Sequence, residues 1–355
     1  METSREPIRG RGVSTNPKNR FEEIEFVPDR EAREEDQPLP RTRFLRDASR
    51  SILSRNDSPD IGFEVSVNPY RGCEHGCAYC YARPYHEYLG FSAGLDFESV
   101  IMVKEDAPAL LRRELSSERF VPKPVALSGV TDCYQPIERT LRITRGCLEV
   151  FLEFRNPVSV ITKGALVVRD VDLLSELARF RAAQVGLSVT TLDDGLAGAL
   201  EPRAARPARR LQVIEALAAA SVPVHVSVAP VIPGLNDHEL PAILAAAKKA
   251  GATTASYQAL RLPHGVADLF IGWLERHRPE QRDKVVNRIR SMRGGDLTDS
   301  RFGSRMRGVG IFAGEIEGLF KLARAKAGFD EQAAVELSAA SFRRPGPRQG
   351  RLFGG

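Results

Sequence analysis

Three of the chain's five cysteines, Cys73, Cys77 and Cys80, fall within eight residues, inside the run NPYRGCEHGCAYCYARPYH. The C-x3-C-x2-C spacing puts three thiolates on one short loop, enough to bind three irons of a cubane. The fourth iron then has no protein ligand and is open to a small molecule, whereas a four-cysteine site would close it and leave only electron transfer. Gly72 and Gly76 allow the tight turns that such wrapping demands. Two other readings compete. Structural zinc usually takes four Cys/His ligands in two pairs; His75 or His86 could be recruited, but no second C-x2-C pair is present. The third is a chance grouping of buried cysteines.

A loop of this kind must be positioned by a scaffold, and the chain is long enough to build one. It has 355 residues, 42% hydrophobic and 27% charged, ordinary for a globular protein. No run of about 18 apolar residues occurs, so no membrane span is expected. The polar N-terminus lacks an apolar h-region, and a cytoplasmic location is expected. There thiols stay reduced, and cysteines read as ligands or reactive groups rather than disulfides.

Six β-like runs begin at Phe63, Pro124, Pro157, Gln184, Val222 and Thr253. Helical patterns lie between them: after Asp106, over Glu138–Phe154, Val171–Arg181, Pro207–Ala220 and His238–Ala250. Asp237 suits the N-cap of the last and Gly251 its C′ position. Six strand–helix units in series imply an α/β fold with a parallel sheet, either doubly wound or a partial barrel. Polar or small residues on one parity, Gly186, Ser188 and Thr190 in one strand and His225 and Ser227 in another, favour the barrel, whose chemistry sits at the carboxyl ends of its strands. The expected organisation is an irregular arm over 1–55, a core domain over 56–275, a basic helical extension over 276–340 and a disordered tail over 341–355.

The cysteine run resembles the hallmark of the radical S-adenosylmethionine superfamily, C-x3-C-x-aromatic-C, with Tyr79 as the aromatic. The resemblance implies one [4Fe–4S] cluster on Cys73, Cys77 and Cys80, S-adenosylmethionine chelated to the open iron, and a partial (βα)6 barrel. It also implies an electron donor such as flavodoxin or ferredoxin. From about Ser66 to Leu262 the chain is further similar to the group related to spore photoproduct lyase. The similarity rests on CAYCYA, VTD at Val130–Asp132, VITKG at Val160–Gly164, LSVTT from Leu187, LEPR at Leu200–Arg203 and VAPVIPGLND at Val228–Asp237.

Carried across residue by residue, that group's cofactor contacts fall on Thr131, Lys163 and Ser188, on the backbone of Ala229, and on Tyr81. Tyr79 and Tyr81 match a tyrosine pair that relays a hydrogen atom. The group's hydrogen-donating cysteine falls on Gly129, a departure that puts repair of spore photoproduct itself in doubt. Cys133, on the same strand-end loop, is the candidate substitute, while Cys147 reads as a core residue.

Arg276 to Arg307 carries ten Lys/Arg against four Asp/Glu. Arg288, Arg290, Arg293, Arg301, Arg305 and Arg307 are candidates for a phosphate backbone and Phe302 for base stacking, a solvated helical face being the alternative. In the tail, Gln349-x-x-Leu352-Phe353 resembles the peptide by which bacterial repair and replication proteins dock on the sliding clamp. The expected function is radical chemistry on nucleic acid. The same chemistry on a protein or small molecule, and a non-catalytic iron–sulfur or zinc scaffold for nucleic acid, are the alternatives.

Overall fold

The computed structural model describes residues 8–22, 41–329 and 336–346. Its strands are β1 (Arg43–Arg46), β2 (Leu53–Arg55), β3 (Val65–Val67), β4 (Tyr70–Arg71), β5 (Val100–Val103), β6 (Val125–Leu127), β7 (Val158–Thr162), β8 (Ala183–Ser188), β9 (Val224–Val231) and β10 (Thr254–Ala259). The main sheet runs β10-β9-β8-β7-β6-β3-β2. Six of these strands are parallel and in chain order, and only β2 at one edge is antiparallel. All six β-like runs of the sequence become these parallel strands. The fold is the partial TIM-type barrel expected from six strand–helix units. A small sheet of β1, β5 and β4 packs beside the cysteine loop.

The core forms because strands and helices each bury one apolar face. Val125, Leu127, Val158, Val160, Val185, Leu187, Val224 and Val226 are fully enclosed by Leu111, Leu148, Phe151, Leu174, Leu177, Ile214 and Ile243 of the covering helices. Cys147 is part of this packing, as its helical register requires.

Two local expectations change. Glu138–Phe154 is not one helix: Arg142 adopts φ 56°, separating a turn at Glu138–Leu141 from the helix Ile143–Phe154. The break lets the buried Glu138 carboxylate accept the Thr144 N–H at 3.0 Å and the Tyr70 hydroxyl at 2.5 Å, and pair with Arg169 at 2.7 Å. Asp237 is not an N-cap. It opens a 3-10 turn ahead of Leu240–Lys249, accepts the Gly234 N–H at 2.8 Å and pairs with Arg288 at 3.2 Å. Gly251 takes its C′ place with φ 104°.

The composition-based reading of the chain ends also needs revision. Residues 8–22 are irregular but docked: Val13 and Ser14 are buried. Residues 43–46 and 53–55 are strands. Within 341–346, Phe342 lies between Phe120 and Phe154, and Arg343 donates to the Glu153 carbonyl at 3.0 Å. Few apolar residues suffice to tie down an irregular segment when its backbone polar groups find partners. Val266–His277, a helix not anticipated, and Ile311–Lys326, within the expected helical extension, flank the basic helix Pro279–Met292.

Candidate active site

At the carboxyl ends of the parallel strands a cavity of about 820 Å³ opens, and the three motif cysteines line it. The loop that carries them follows β3 and β4. Its turns use Gly72 (φ 80°) and Gly76 (φ 66°), a region that side chains with a Cβ avoid. Cys73 and Cys77 are buried and Cys80 is half-buried. Burial pushes all three thiols above their ordinary value. The core residues Cys133 and Cys147 are raised in the same way, so it is the grouping of the three on one loop, and not the shift, that marks them as ligands. Three thiols on one cavity wall, with no fourth cysteine beside them, fit a cubane with one open iron better than a closed four-ligand site.

The strand-end candidates converge on the same cavity. Thr131, Lys163, Ser188 and Ala229 all line it, from the ends of β6, β7, β8 and β9. The Thr131 hydroxyl donates to the Tyr70 carbonyl at 2.6 Å and keeps its lone pairs for another donor. The Lys163 ammonium lies 6.0 Å from the Tyr79 ring centre. Its N–H donates to Asp132 at 2.7 Å, which fixes the backbone from which the long side chain reaches. The Ala229 carbonyl accepts from the Thr190 hydroxyl at 3.1 Å.

Tyr79 and Tyr81 part company. Tyr79 is buried, and its hydroxyl is held by the Glu201 carboxylate, with Thr190 at 3.4 Å. Glu201 also pairs with the buried Arg210. Burial alone would raise the Glu201 carboxyl, but Arg210 and Lys163, with hydrogen bonds from Thr190 and Tyr79, hold it at about 2. Tyr81 is exposed, donates to the Gly129 carbonyl at 3.0 Å and stacks under Arg261 at 5.6 Å. It therefore stands at the cavity mouth and Tyr79 in the wall.

Cys133 does not join the site. It is fully buried in the main core, does not line the cavity, and its backbone N–H and carbonyl are taken by Ser128 and Thr144. The expectation that it replaces a donor cysteine is corrected on that ground. Gly129 does line the cavity, but a Cβ there would stand 3.0 Å from Phe63 and 3.1 Å from Ser66.

Several residues at the site carry no signal in the sequence beyond their place in a motif. Asp132 binds the cysteine loop to two strand ends. It accepts from the Thr162 hydroxyl and the Lys163 N–H at 2.7 Å each, and faces His75 at 3.3 Å. Gln135 accepts the Glu74 N–H at 2.9 Å from the same loop. His225 bridges Thr254 and Ser256 at 2.8 and 2.7 Å, and burial with the nearby Arg324 lowers it to about 4, so it is neutral at physiological pH.

The basic extension differs from its sequence reading. Arg288 pairs with Asp237, Arg301 with Asp299, Arg305 with Asp60 and Arg307 with Glu317. Arg293 is buried and donates to the Ser304 and Leu260 carbonyls. Five of the six candidate phosphate-binding arginines are thus engaged within the chain. Around the cavity, five basic side chains (Arg55, Arg71, Lys104, Lys163, Arg261) stand against two carboxylates (Asp60, Asp132), with Arg71 paired to Asp47 at 2.9 Å.

A parallel six-stranded partial barrel with a three-cysteine loop at its carboxyl ends defines the architecture of one superfamily. The family model described as "Radical SAM superfamily" matches residues 67–247, and the chain belongs to that superfamily. An uncharacterised protein of Mycobacterium tuberculosis is 38% identical over 234 residues, covering 65% of this chain and 68% of that one. A spore photoproduct lyase variant shares the fold with a TM-score of 0.57 at 14% identity, over 80% of this chain and 79% of that one. A second lyase structure, complexed with dinucleoside spore photoproduct, gives 0.55 over the same shares. At that identity the likeness is one of fold. Among the described residues no helix is long and apolar enough to cross a membrane.

Proposed function

We propose that this chain is a radical S-adenosylmethionine enzyme whose substrate is nucleic acid, repaired or modified at the cavity. The observation that carries the reading is the convergence of the three motif thiols with Lys163, Thr131 and Ser188 on one cavity at the strand ends. Cys73, Cys77 and Cys80 would hold a single [4Fe–4S] cluster. Held by those three thiolates, with its fourth iron free of protein ligands, such a cluster would supply one-electron reductive cleavage of S-adenosylmethionine, the electron coming from an external donor.

The chain's own residues bind and orient. Lys163 supplies a point charge for the cofactor carboxylate, and Thr131 and Ser188 offer hydroxyls to its polar groups. Tyr79, locked to Glu201, forms a fixed wall; Tyr81 and Arg261 present a ring and a cation to whatever enters. Asp132 holds the Lys163 backbone and the cysteine loop in one frame. The excess of basic side chains at the cavity, and the exposed Tyr81, Tyr85 and Tyr88 along its rim, suit a ligand with phosphates and bases. The fold likeness to a lyase complexed with a dinucleoside photoproduct points the same way. A second reading, the same chemistry on a small molecule or peptide, is favoured by one observation: the extension's arginines are mostly neutralised within the chain. A flavodoxin- or ferredoxin-type donor would supply the electron, and a cytoplasmic setting suits exposed redox chemistry. The clamp-like residues Gln349, Leu352 and Phe353 lie outside the described residues.

Anaerobic reconstitution with iron and sulfide tests the proposal. Reduced protein is expected to convert S-adenosylmethionine into 5′-deoxyadenosine, and Cys77→Ala to abolish this. Protein that binds four irons yet forms no 5′-deoxyadenosine would sink the enzyme reading. Turnover stimulated by oligonucleotides, and not by their constituent nucleosides, separates the substrate classes.

A further inference from the structure

The stretch between Cys73 and β5 contains only short helical turns and cannot bury enough of itself to be rigid alone. On one side it is tied to the barrel through Asp132, Gln135, Leu200 and Arg203; on the other it packs on residues 11–21, more than fifty positions upstream. Gly12 sits directly against the cysteine loop, where a Cβ would lie 1.7 Å from the Gly76 carbonyl oxygen. A Cβ on Gly94 would likewise lie 2.0 Å from the Thr15 carbonyl oxygen. Both are positions at which two backbones meet with no room for any side chain.

The buried Glu98 carboxylate joins the two segments. It accepts the Gly12 N–H at 2.9 Å and the Val13 N–H at 3.2 Å, and pairs with the buried Arg83 at 2.5 Å. Arg83 in turn donates to the carbonyl of the motif cysteine Cys77 at 3.0 Å from Nε and 2.8 Å from Nη2. Further along, the Leu95 N–H donates to the Thr15 carbonyl at 3.1 Å, and Asn16 exchanges two hydrogen bonds with Asp96. The Asn19 amide donates to the Glu87 and Phe91 carbonyls at 2.9 Å each, and Arg20 pairs with Glu87 at 2.7 Å.

We propose that residues 11–21 are a strap that positions the cysteine loop, with Gly12 and the Glu98–Arg83 pair fixing the backbone of Gly76 and Cys77. These are positioning residues: they touch the loop, not the cofactor or substrate. The barrel core is built from other residues, so loosening the strap leaves the barrel in place and the loop held on one side only, by its ties to Asp132, Gln135 and Leu200. The inference rests on the reading of Cys73, Cys77 and Cys80 as cluster ligands, and its test has a readout that needs no cluster.

In the full-length, iron-free chain the strap keeps Cys73 and Cys77 buried, so their reaction with a chromogenic disulfide reagent should be slow. Gly12→Val should speed it by roughly tenfold or more, with an unchanged far-ultraviolet spectrum, and should lower iron and sulfide uptake on reconstitution. Asn16→Ala with Asn19→Ala, which removes hydrogen bonds without a clash, should act in the same direction and decides the matter if Gly12→Val does not fold. Gly314→Ala, on an exposed helix position with open space around it, is the control. Wild-type thiol rates and wild-type iron content in the strap variants would overturn the inference. Faster thiol reaction in those variants, alongside a wild-type chain that takes up no iron, would support the strap and instead remove the cluster reading.

Discussion

Replacing Asp132 by Asn tests how the site is framed. The carboxylate is buried, and burial alone would raise it. The facing His75, with hydrogen bonds from the Lys163 N–H and the Thr162 hydroxyl, more than offsets that and holds it at about 2, against an ordinary 3.8. A folded-state value below the unfolded one contributes stability that is fully present above about pH 4 and is lost as pH falls through about 2. The difference corresponds to roughly 2–3 kcal/mol. Asparagine can keep the Thr162 bond through its carbonyl oxygen, but its amide then faces the Lys163 N–H, donor against donor. A buried N–H left unpaired costs about 1–3 kcal/mol, partly overlapping the first figure. We therefore expect Asp132→Asn to lose about 3 kcal/mol. At roughly 2 °C per kcal/mol for a chain of this size, the iron-free protein should melt about 6 °C lower. Thermal unfolding followed by circular dichroism at pH 7 and again near pH 4 should show the full gap at both, narrowing only in stronger acid. A variant that melts with the wild type at pH 7 would refute the role given to Asp132.

Lys163→Ala should weaken S-adenosylmethionine binding by roughly 10- to 100-fold while leaving iron content unchanged, as equilibrium dialysis of the reconstituted protein would report. Cys133→Ala should lower stability by about 1–2 kcal/mol, as a small core truncation does, and leave 5′-deoxyadenosine formation intact; loss of product formation in a folded variant would restore a chemical role to that thiol. Arg210→Met should cost about 3–5 kcal/mol in urea unfolding, because it strands the buried Glu201 charge. Clamp pull-down by the full chain should disappear when Leu352→Ala and Phe353→Ala are combined, and equal capture by that double variant would dismiss the tail motif.

The barrel was legible because its signal is local. Each parallel strand is a short run of apolar or small residues between turns, and each covering helix shows its apolar stripe within a dozen residues. The cysteine loop was legible for the same reason. Other features depend on partners far away in sequence. The break at Arg142 serves a carboxylate whose partners include Tyr70 and Arg169, and Asp237 forgoes its cap for an arginine fifty-one residues on. The arginines of the extension look like a free basic face only until Asp60, Asp237 and Glu317 are brought beside them. The strap reads as an irregular arm because its composition is polar; its order comes from backbone groups, Gly12 and the side chains of Asn16, Asn19 and Arg20, whose partners no local window contains.

The pocket at Gly129 constrains how this chain could have diverged. A cysteine placed there would bring its Cβ to about 3 Å from the edge of the Phe63 ring and from Ser66, so these neighbours must give by a few tenths of an ångström. Phe63 is only partly buried, and its ring tip is the atom that must move. Positions 63 and 129 are therefore coupled: the cost of a side chain at 129 depends on what stands at 63. A library varying both codons should yield cysteine at 129 more often beside a small residue at 63.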